Sequence, residues 1–217
     1  MIELCNIEKS YPTKQGRVHV LRDISARIET GQSVGILGAN GAGKSTLLRI
    51  IAGAEHPNFG RVVREGSISW PLGFSGSFSS SLTGAENMRF VCRIFNADIE
   101  EVTAFVEDFS ELGKAMRQPI RTYSSGMRSR LAFALSMAID FDVYVIDESL
   151  AVGDAAFQAK CEAEFDKRRE RSSVLMASHS IDMINRYCRS AAVLHHGTLR
   201  MFETVDEGHE YYQWLTN

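Results

Sequence analysis

Eight consecutive residues near the N-terminus have the types and spacing that bind phosphate groups. They fit the pattern G-x-x-x-x-G-K-[ST] without a gap and are Gly38, Ala39, Asn40, Gly41, Ala42, Gly43, Lys44 and Ser45. In such a loop the backbone N–H groups surround the phosphates, the lysine reaches the β- and γ-phosphates, and the serine hydroxyl ligates Mg²⁺. We therefore expect a nucleoside triphosphate and Mg²⁺ here, with Thr46 also contacting the nucleotide. The alternative is a glycine-rich turn that binds nothing.

Two further groups with catalytic side chains follow predicted strands. Asp147 and Glu148 come directly after the apolar residues 143–146, and His179 follows a second apolar run at 174–177. Because the carboxyl ends of parallel strands meet at one edge of a sheet, these side chains are expected beside the glycine loop. Asp147 then shares Mg²⁺ with Ser45, Glu148 orients or deprotonates an attacking water, and His179 contacts the γ-phosphate. Helix capping by Asp147 and a purely structural His179 are the alternatives.

A second phosphate-binding device lies further along the chain. Ser124, Ser125 and Gly126 form a small-residue turn before a helical run at 128–139. A helix N-terminus with a hydroxyl suits an anion. Since the first loop already serves the chain's own nucleotide, we expect this turn to contact the nucleotide of a second copy.

The predicted elements that must position these residues alternate between strands and helices. A buried strand at 33–37 precedes the glycine loop, and the helix after it ends at Gly53. Residues 1–31 have the pattern of a β-hairpin edge, and 192–202 that of a second hairpin. Between them lies an all-helical insert of about 60 residues. This order predicts an α/β core with a helical arm.

Composition excludes several classes of protein. The chain has 217 residues, 44% of them hydrophobic, which suffices for one substantial core. A net charge of −3 gives no reason to expect nucleic acid as a partner. No apolar stretch approaches the ~18–20 residues of a membrane span, and the N-terminus lacks the features of a secretion signal. Four cysteines without CxxC spacing indicate reduced thiols.

Taken together, these motifs resemble ABC-type ATPase subunits over nearly the whole chain. The resemblance implies a single ABC ATPase domain at 1–217. Its expected fold is a RecA-like P-loop NTPase core of the α/β class, with an N-terminal antiparallel β-subdomain and an α-helical subdomain inserted at about 80–140. It implies ATP as the nucleotide, with Ser124 and Gly126 contacting the γ-phosphate on a partner subunit. Ser125 and Met127 depart from the family's Leu-Ser-Gly-Gly-Gln signature.

The resemblance assigns three more features. Tyr11 lies where the family places an aromatic ring against adenine, with a core tyrosine on an edge strand as the alternative. Residues 151–154, Ala-Val-Gly-Asp, resemble the loop through which the two ATP sites sense one another. The family's glutamine between core and helical arm is missing, because no glutamine occurs between Trp70 and Glu86. Phe74 and Ser75 are nearest to its position.

Two segments narrow the resemblance to ATPases that export capsular polysaccharides from Gram-negative bacteria. They are the serine-rich run at 70–90 and the segment 121–131, and the absence of a sugar-binding domain before Asn217 also favours the capsule type. The implied partners are a polytopic membrane subunit, a second copy in an ATP-dependent homodimer, and, indirectly, the polysaccharide. The implied location is peripheral, on the cytoplasmic face of the inner membrane, where Phe74 and Phe78 grip a helix of the membrane subunit.

Two other functions share part of this pattern. A soluble ABC-family ATPase of translation or DNA repair has the same motifs, but usually two tandem units or a long coiled coil in the arm. A P-loop kinase for small molecules explains the first loop and the magnesium site. It leaves Ser124, Ser125, Gly126 and His179 without a role.

Overall fold

A computed structural model describes residues 1–14, 16–72, 78–148 and 153–216. Within these ranges lie nine strands: β1 (Ile2–Thr13), β2 (Gly16–Ile28), β3 (Val34–Leu37), β4 (Phe59–Arg64), β5 (Ile68–Pro71), β6 (Val143–Asp147), β7 (Ser173–Ala177), β8 (Ser190–His195) and β9 (Thr198–Phe202). The same ranges hold seven α-helices: α1 (Lys44–Ile51), α2 (Gly84–Phe95), α3 (Ile99–Ser110), α4 (Ser125–Ala138), α5 (Ala155–Arg169), α6 (Ile181–Tyr187) and α7 (Val205–Thr216).

These elements form two compact units. The first unit comprises Met1–Pro71, Phe141–Ser149 and Arg171–Asn217 and contains every strand in the described residues. The second comprises Leu72–Asp140 and Leu150–Glu170, and the elements among its described residues are helices. It therefore includes α5, which the strand–helix alternation of the sequence had placed with the core.

In the first unit, helix α1 lies between two sheets. A three-stranded antiparallel sheet has the order β2-β1-β4, and a six-stranded sheet has the order β5-β6-β7-β3-β8-β9. Leu47, Leu48, Ile50 and Ile51 of α1 are fully buried in one cluster with side chains from both sheets. Burying each of these four large apolar side chains favours folding by about 1.5–3 kcal/mol, before the loss of conformational entropy is subtracted. This sandwich holds the helix that follows the glycine loop.

The other face of the large sheet is covered by α6 and α7. Side chains alternate along a strand, so Val34 and Ile36 point to the α1 side and Gly35 points away. Gly35 lies directly under Ile184 of α6, and a Cβ placed on it would meet Ile184 Cγ2 at 2.3 Å. Only a glycine lets this helix approach the strand so closely.

The register of the parallel strands aligns their carboxyl ends. Ala177 at the end of β7 pairs with Ile36 of β3 on one side and with Asp147 of β6 on the other. The glycine loop, Asp147, Glu148 and His179 therefore leave the sheet at the same edge. Parallel strands usually bind their ligands at this edge.

The second unit packs around aromatic side chains. Phe109 stacks on Phe133 of α4 with ring centroids 6.1 Å apart and meets Phe157 of α5 edge-on at 5.6 Å. Helix α2 begins with a capping box, in which Thr83 and Glu86 each bond the other's backbone N–H. Two 3₁₀ turns, Gly113–Arg117 and Ile120–Thr122, lead into α4.

The predicted α/β class with an antiparallel N-terminal sheet is confirmed, with differences in detail. Strand β1 is the middle strand of its sheet rather than an edge, because β4 pairs along its other side. None of the helices in the described ranges is long and apolar enough to span a bilayer. All four cysteines lie within the described ranges and are free thiols. Burial raises the pKa of Cys161 and Cys188 to about 12, so both thiols are protonated at neutral pH.

The contact of Gly35 with Ile184 makes a specific prediction about stability. Gly35→Ala should lower the free energy of unfolding by about 1–3 kcal/mol, since the added methyl group displaces α6. In an Ile184→Ala background the same change should cost much less, because the clashing atom is gone. Urea unfolding of the four proteins measures the coupling. Gly126→Ala is a control, since a Cβ there meets nothing closer than Ser124 Oγ at 3.9 Å. Additive effects at residues 35 and 184 would contradict the packing argument.

Candidate nucleotide site

The glycine loop presents the start of α1 without a side-chain cap. Gly43 is the N-cap residue, has φ of 105°, and has no side chain that could cap the first N–H groups of the helix. A Cβ on Gly43 would meet Val20 Cγ1 at 2.6 Å, and one on Gly38 would meet the Leu194 carbonyl oxygen at 2.5 Å. The uncapped N–H groups and the helix dipole together favour an anion at this point.

Lys44 is held at the mouth of the loop. It is 5% exposed, and its Nζ donates to the carbonyl oxygens of Gly38 at 2.7 Å and Ala39 at 3.0 Å. Burial lowers the pKa of Lys44 below 10.5, while the charges of Glu148 and Asp147 act to raise it. An ammonium group has three N–H donors, so one is left for a phosphate oxygen.

Ser45 and Asp147 form the group that suits Mg²⁺. Ser45 Oγ donates to Asp147 Oδ1 at 2.9 Å, although the two residues are 102 positions apart in sequence. Burial raises the pKa of Asp147, and the hydrogen bond from Ser45 partly offsets this. Magnesium is usually held by one or two protein oxygens together with substrate phosphates. The pair fits that donor set, and it does not require the larger His, Cys, Asp and Glu clusters that are absent from the described residues.

Glu148 and His179 lie side by side where β6 and β7 end. Glu148 Oε1 is 3.7 Å from His179 Nε2, and the two side chains are 66% and 48% exposed. Glu148 has a left-handed backbone with φ of 72°, held by its N–H bond to the Ala177 carbonyl oxygen at 2.7 Å. Such a backbone conformation is uncommon in residues other than glycine and occurs most often at functional sites. The pair can contact a water and a phosphate at the open edge of the sheet.

Tyr11 is half-buried and lies beside α1. Its hydroxyl donates to Glu55 Oε1 at 2.5 Å and is 3.4 Å from Thr46 Oγ1. Its cross-strand partner is Val18, an exposed apolar side chain on the same face of the sheet. Val18 also lines a cleft of about 320 Å³ bounded by residues 39–42 of the loop. The cleft beside the phosphate loop thus reaches the cross-strand neighbour of Tyr11 and presents Val18 and Val20, apolar side chains on which a nucleotide base can pack.

The second device lies in the helical unit. Ser124 is the N-cap of α4, and its Oγ accepts from the Met127 N–H at 3.2 Å. Helix α4 therefore starts at Ser125, three residues earlier than predicted. Ser124, Ser125, Gly126 and Met127 line an open cleft of about 540 Å³ together with Arg130, Gly153 and Asp154. Because the cap uses only a lone pair of Ser124, the hydroxyl hydrogen can still be donated to an anion in that cleft.

Arg130 is a site residue that the sequence motifs did not single out. Its guanidinium bonds Asp154 at 2.7 Å and Glu111 at 3.0 Å, and it lies 4.3 Å from the Phe157 ring. Asp154 in turn caps α5 by accepting from the Phe157 N–H at 2.9 Å. An aspartate directly before a helical run, such as Asp154 before α5, is the sequence signal that predicts this cap.

Several predicted residues lie outside the described ranges. These are Phe74 and Ser75, which are nearest in sequence to the position where the family has its glutamine, and Ala151 and Val152 of the loop before Asp154. Phe78 is described and is half-buried.

Comparisons with known proteins agree on one family. The family described as ABC transporter matches residues 21–151. The chain is 53% identical to the capsule polysaccharide export ATP-binding protein CtrD of Neisseria meningitidis serogroup B, over 99% of this chain and all of the relative. It is 48% identical to the ATP-binding protein BexA of Haemophilus influenzae, over 98% of each chain. It is 47% identical to the polysialic acid transport ATP-binding protein KpsT of Escherichia coli, over 98% and 96%.

Solved structures give the same fold at low sequence identity. A dimeric ATP-binding cassette in a post-hydrolysis state with ADP and Pi has a TM-score of 0.74 at 20% identity, covering 94% of this chain and 99% of that one. A bacterial ABC transporter cassette, also dimeric, has a TM-score of 0.72 at 20% identity, with the same coverage.

The buried carboxylate of Asp147 leads to a prediction with opposite effects on stability and activity. Its pKa in the folded state is raised above 3.8. The stability it contributes is therefore fully present below pH 3.8 and is lost as the pH rises through the folded-state pKa. Asp147→Asn resembles the protonated form, so it should melt about 1–4 °C higher than wild type at pH 7. The gain should shrink as the pH is lowered toward 4, as measured by thermal unfolding.

The same variant should lose most of its Mg²⁺-dependent ATP hydrolysis, about 10–100-fold or more, because an amide binds the cation far less well than a carboxylate. An Asp147→Asn protein that melts lower than wild type at pH 7 would contradict the charge argument.

Proposed function

The chain belongs to the ABC transporter family as an ATP-binding, ATP-hydrolysing subunit, and we propose that it powers export of a capsular polysaccharide across the inner membrane. The observation that carries this proposal is its 53% identity to a capsule polysaccharide export protein over essentially the full length of both chains. Two further relatives, BexA and KpsT, match over nearly the same span. These relatives favour a transporter over the alternatives in translation, DNA repair or small-molecule phosphorylation.

In this proposal the first unit binds ATP mainly with residues that follow the carboxyl ends of β3, β6 and β7. The backbone of residues 38–46 surrounds the phosphates, and Lys44 donates its remaining N–H to a phosphate oxygen. Ser45 and Asp147 hold Mg²⁺, which when bound neutralises charge on the β- and γ-phosphates. Tyr11 and Val18 contact the adenine.

Hydrolysis is assigned to the pair at the ends of β6 and β7. Glu148 is exposed, and its carboxylate accepts the proton of the attacking water. His179 donates a hydrogen bond to the γ-phosphate and steadies the Glu148 carboxylate, 3.7 Å away. The exposure of both side chains leaves room for a water and for a second subunit to cover them.

The second subunit is another copy of the chain. Each copy offers Ser124, Ser125 and Gly126 to the ATP bound by its partner, so two ATP molecules lie in a symmetric head-to-tail pair. The open cleft at the start of α4, with a serine hydroxyl able to donate, supports this assignment. ATP binding then closes the pair, and hydrolysis lets it part.

The export channel itself is a separate polytopic membrane subunit. The chain acts from the cytoplasmic face of the inner membrane as a peripheral subunit, and the polysaccharide meets it only indirectly. The aromatic residues Phe74 and Phe78 are proposed to contact a helix of the membrane subunit, since aromatic side chains are frequent anchors in such contacts. Movement of the closing pair reaches the channel through that helix.

The role of Glu148 gives a test of the hydrolytic step. Glu148→Gln keeps the shape of the side chain but removes the base, so it should bind ATP normally and hydrolyse it about 10²–10⁴-fold more slowly. With ATP and Mg²⁺ the variant should elute from a sizing column as a dimer. Glu203→Gln is the matched control at an exposed position and should behave as wild type. Wild-type turnover in Glu148→Gln would refute the assignment of the base.

The export function is tested in the cell. Deleting the gene should leave polysaccharide inside the cell and none at the surface, as followed by fractionation and antibody labelling. A wild-type copy and a copy with the exposed Lys14 changed to alanine should restore surface polymer. A Lys44→Ala copy should not, because the phosphate loop loses its only ammonium group. Normal surface polysaccharide in the deletion strain, with no second export ATPase present, would rule out this function.

A further inference from the structure

The carboxylate of Glu55, outside the phosphate loop, connects strand β1, which carries Tyr11, with helix α1, which follows that loop. Glu55 follows α1, and its Oε1 accepts from the Tyr11 hydroxyl at 2.5 Å and is 2.9 Å from Lys9 Nζ. Its Oε2 pairs with Arg49 Nε of α1 at 3.0 Å. The side chain is 20% exposed, so this single group receives three donors from two elements while largely shielded from water. Neither motif spacing nor the family resemblance singled it out.

We infer that Glu55 is a positioning residue for ATP, which fixes the ring of Tyr11 for the nucleotide base and ties that ring to the phosphate-binding helix. The inference rests on the proposed contact of Tyr11 with adenine and adds the group that holds it. A tyrosine anchored at its hydroxyl cannot swing about its Cα–Cβ bond, so the ring face is set before the base arrives. When ATP binds to a ring that is already fixed, less free energy is lost in ordering side chains.

The surroundings of Tyr11 support this role. Lys9 Nζ lies 5.2 Å from the centre of the Tyr11 ring and also donates to the His56 carbonyl oxygen at 2.6 Å. The cation therefore holds Glu55 and contacts the ring at the same time. The pKa of Glu55 is lowered to about 2 by the hydrogen bonds from Tyr11, Lys9 and Arg49, against the opposing effect of burial. The carboxylate thus keeps its charge at any physiological pH.

The link to the phosphate end runs through Thr46. Arg49 Nη2 donates to Thr46 Oγ1 at 3.3 Å, and the Tyr11 hydroxyl is 3.4 Å from the same oxygen. Thr46 follows Ser45 in the first turn of α1. By contrast, the bonds of Lys44 to the loop and of Ser45 to Asp147 do not involve Glu55. Removing Glu55 should therefore weaken the contacts of the protein with the base and leave its contacts with the phosphates intact.

This separation defines the experiment. Binding of ATP and of inorganic tripolyphosphate, each with Mg²⁺, is measured by calorimetry for wild type, Glu55→Ala, Glu55→Gln, Tyr11→Phe and the double variant Tyr11→Phe/Glu55→Ala. Glu55→Ala should bind ATP about 10-fold more weakly and tripolyphosphate within about 2-fold of wild type. Glu55→Gln keeps an acceptor for the tyrosine hydroxyl and should lose less affinity than Glu55→Ala. Glu203→Ala, at an exposed position, is the control.

The double variant decides whether Glu55 acts through Tyr11. If it does, Tyr11→Phe/Glu55→Ala should bind ATP about as well as the weaker single variant, because both changes remove one shared hydrogen bond. The inference would be overturned if the losses of ATP affinity in the two single variants multiplied in the double variant. It would also be overturned if Glu55→Ala lost as much affinity for tripolyphosphate as for ATP, because Glu55 would then only stabilise the fold. A wild-type protein that binds tripolyphosphate as tightly as ATP would overturn the base contact of Tyr11 and the inference with it. A wild-type protein that binds neither ligand would instead contradict the ATPase assignment itself.

Discussion

The burial of helix α1 between two sheets, with its first turn left uncapped, is the constraint on which the rest of this structure depends. A helix normally satisfies its first N–H groups with a side chain, but Gly43 has none to offer. The cost is tolerable because Leu47, Leu48, Ile50 and Ile51 are fully buried and hold the helix in place. The same packing fixes the direction of the helix dipole. The uncapped end of α1 therefore faces a fixed direction, in which its N–H groups and dipole favour an anion.

Around that helix end, the first unit holds charged groups that are partly shielded from water, which is costly for a charge. Lys44 is buried against carbonyl oxygens, and Asp147 is desolvated enough to raise its pKa. Burial disfavours the charged form of both groups, and in the proposed function both contact the charged ligand. Glu55 is the opposite case, since its carboxylate receives three donors from the protein itself, Tyr11, Lys9 and Arg49. The region around α1 thus contains two ionisable groups that burial disfavours in their charged form and one carboxylate that protein donors stabilise.

In the second unit, the departures from the family signature leave the physical device intact. The Met127 group that bonds Ser124 is its backbone N–H, which any residue other than proline supplies. Replacing the family's glutamine by methionine at this position therefore preserves the cap. Ser125 lies in the first turn of α4, where a serine is well accepted. Arg130 stabilises the same region by joining Glu111 of the chain before α4 to Asp154 at the start of α5.

Local patterns in the sequence determined the strand, glycine loop and helix around Lys44, the acids after β6 and the helical arm, because each depends on residues that are close in the chain. The seven-residue helix α6 and the two 3₁₀ turns were missed, since they are too short to show a period. Periodicity also placed α5 with the core, whereas Phe157 packs it on Phe109 of the second unit. Tertiary structure alone decided that Ser45 meets Asp147, that Glu148 lies beside His179 and that Glu55 holds Tyr11. The reason is physical: periodicity shows which face of an element is buried, but the partner across that face is set by strand order and register between distant segments.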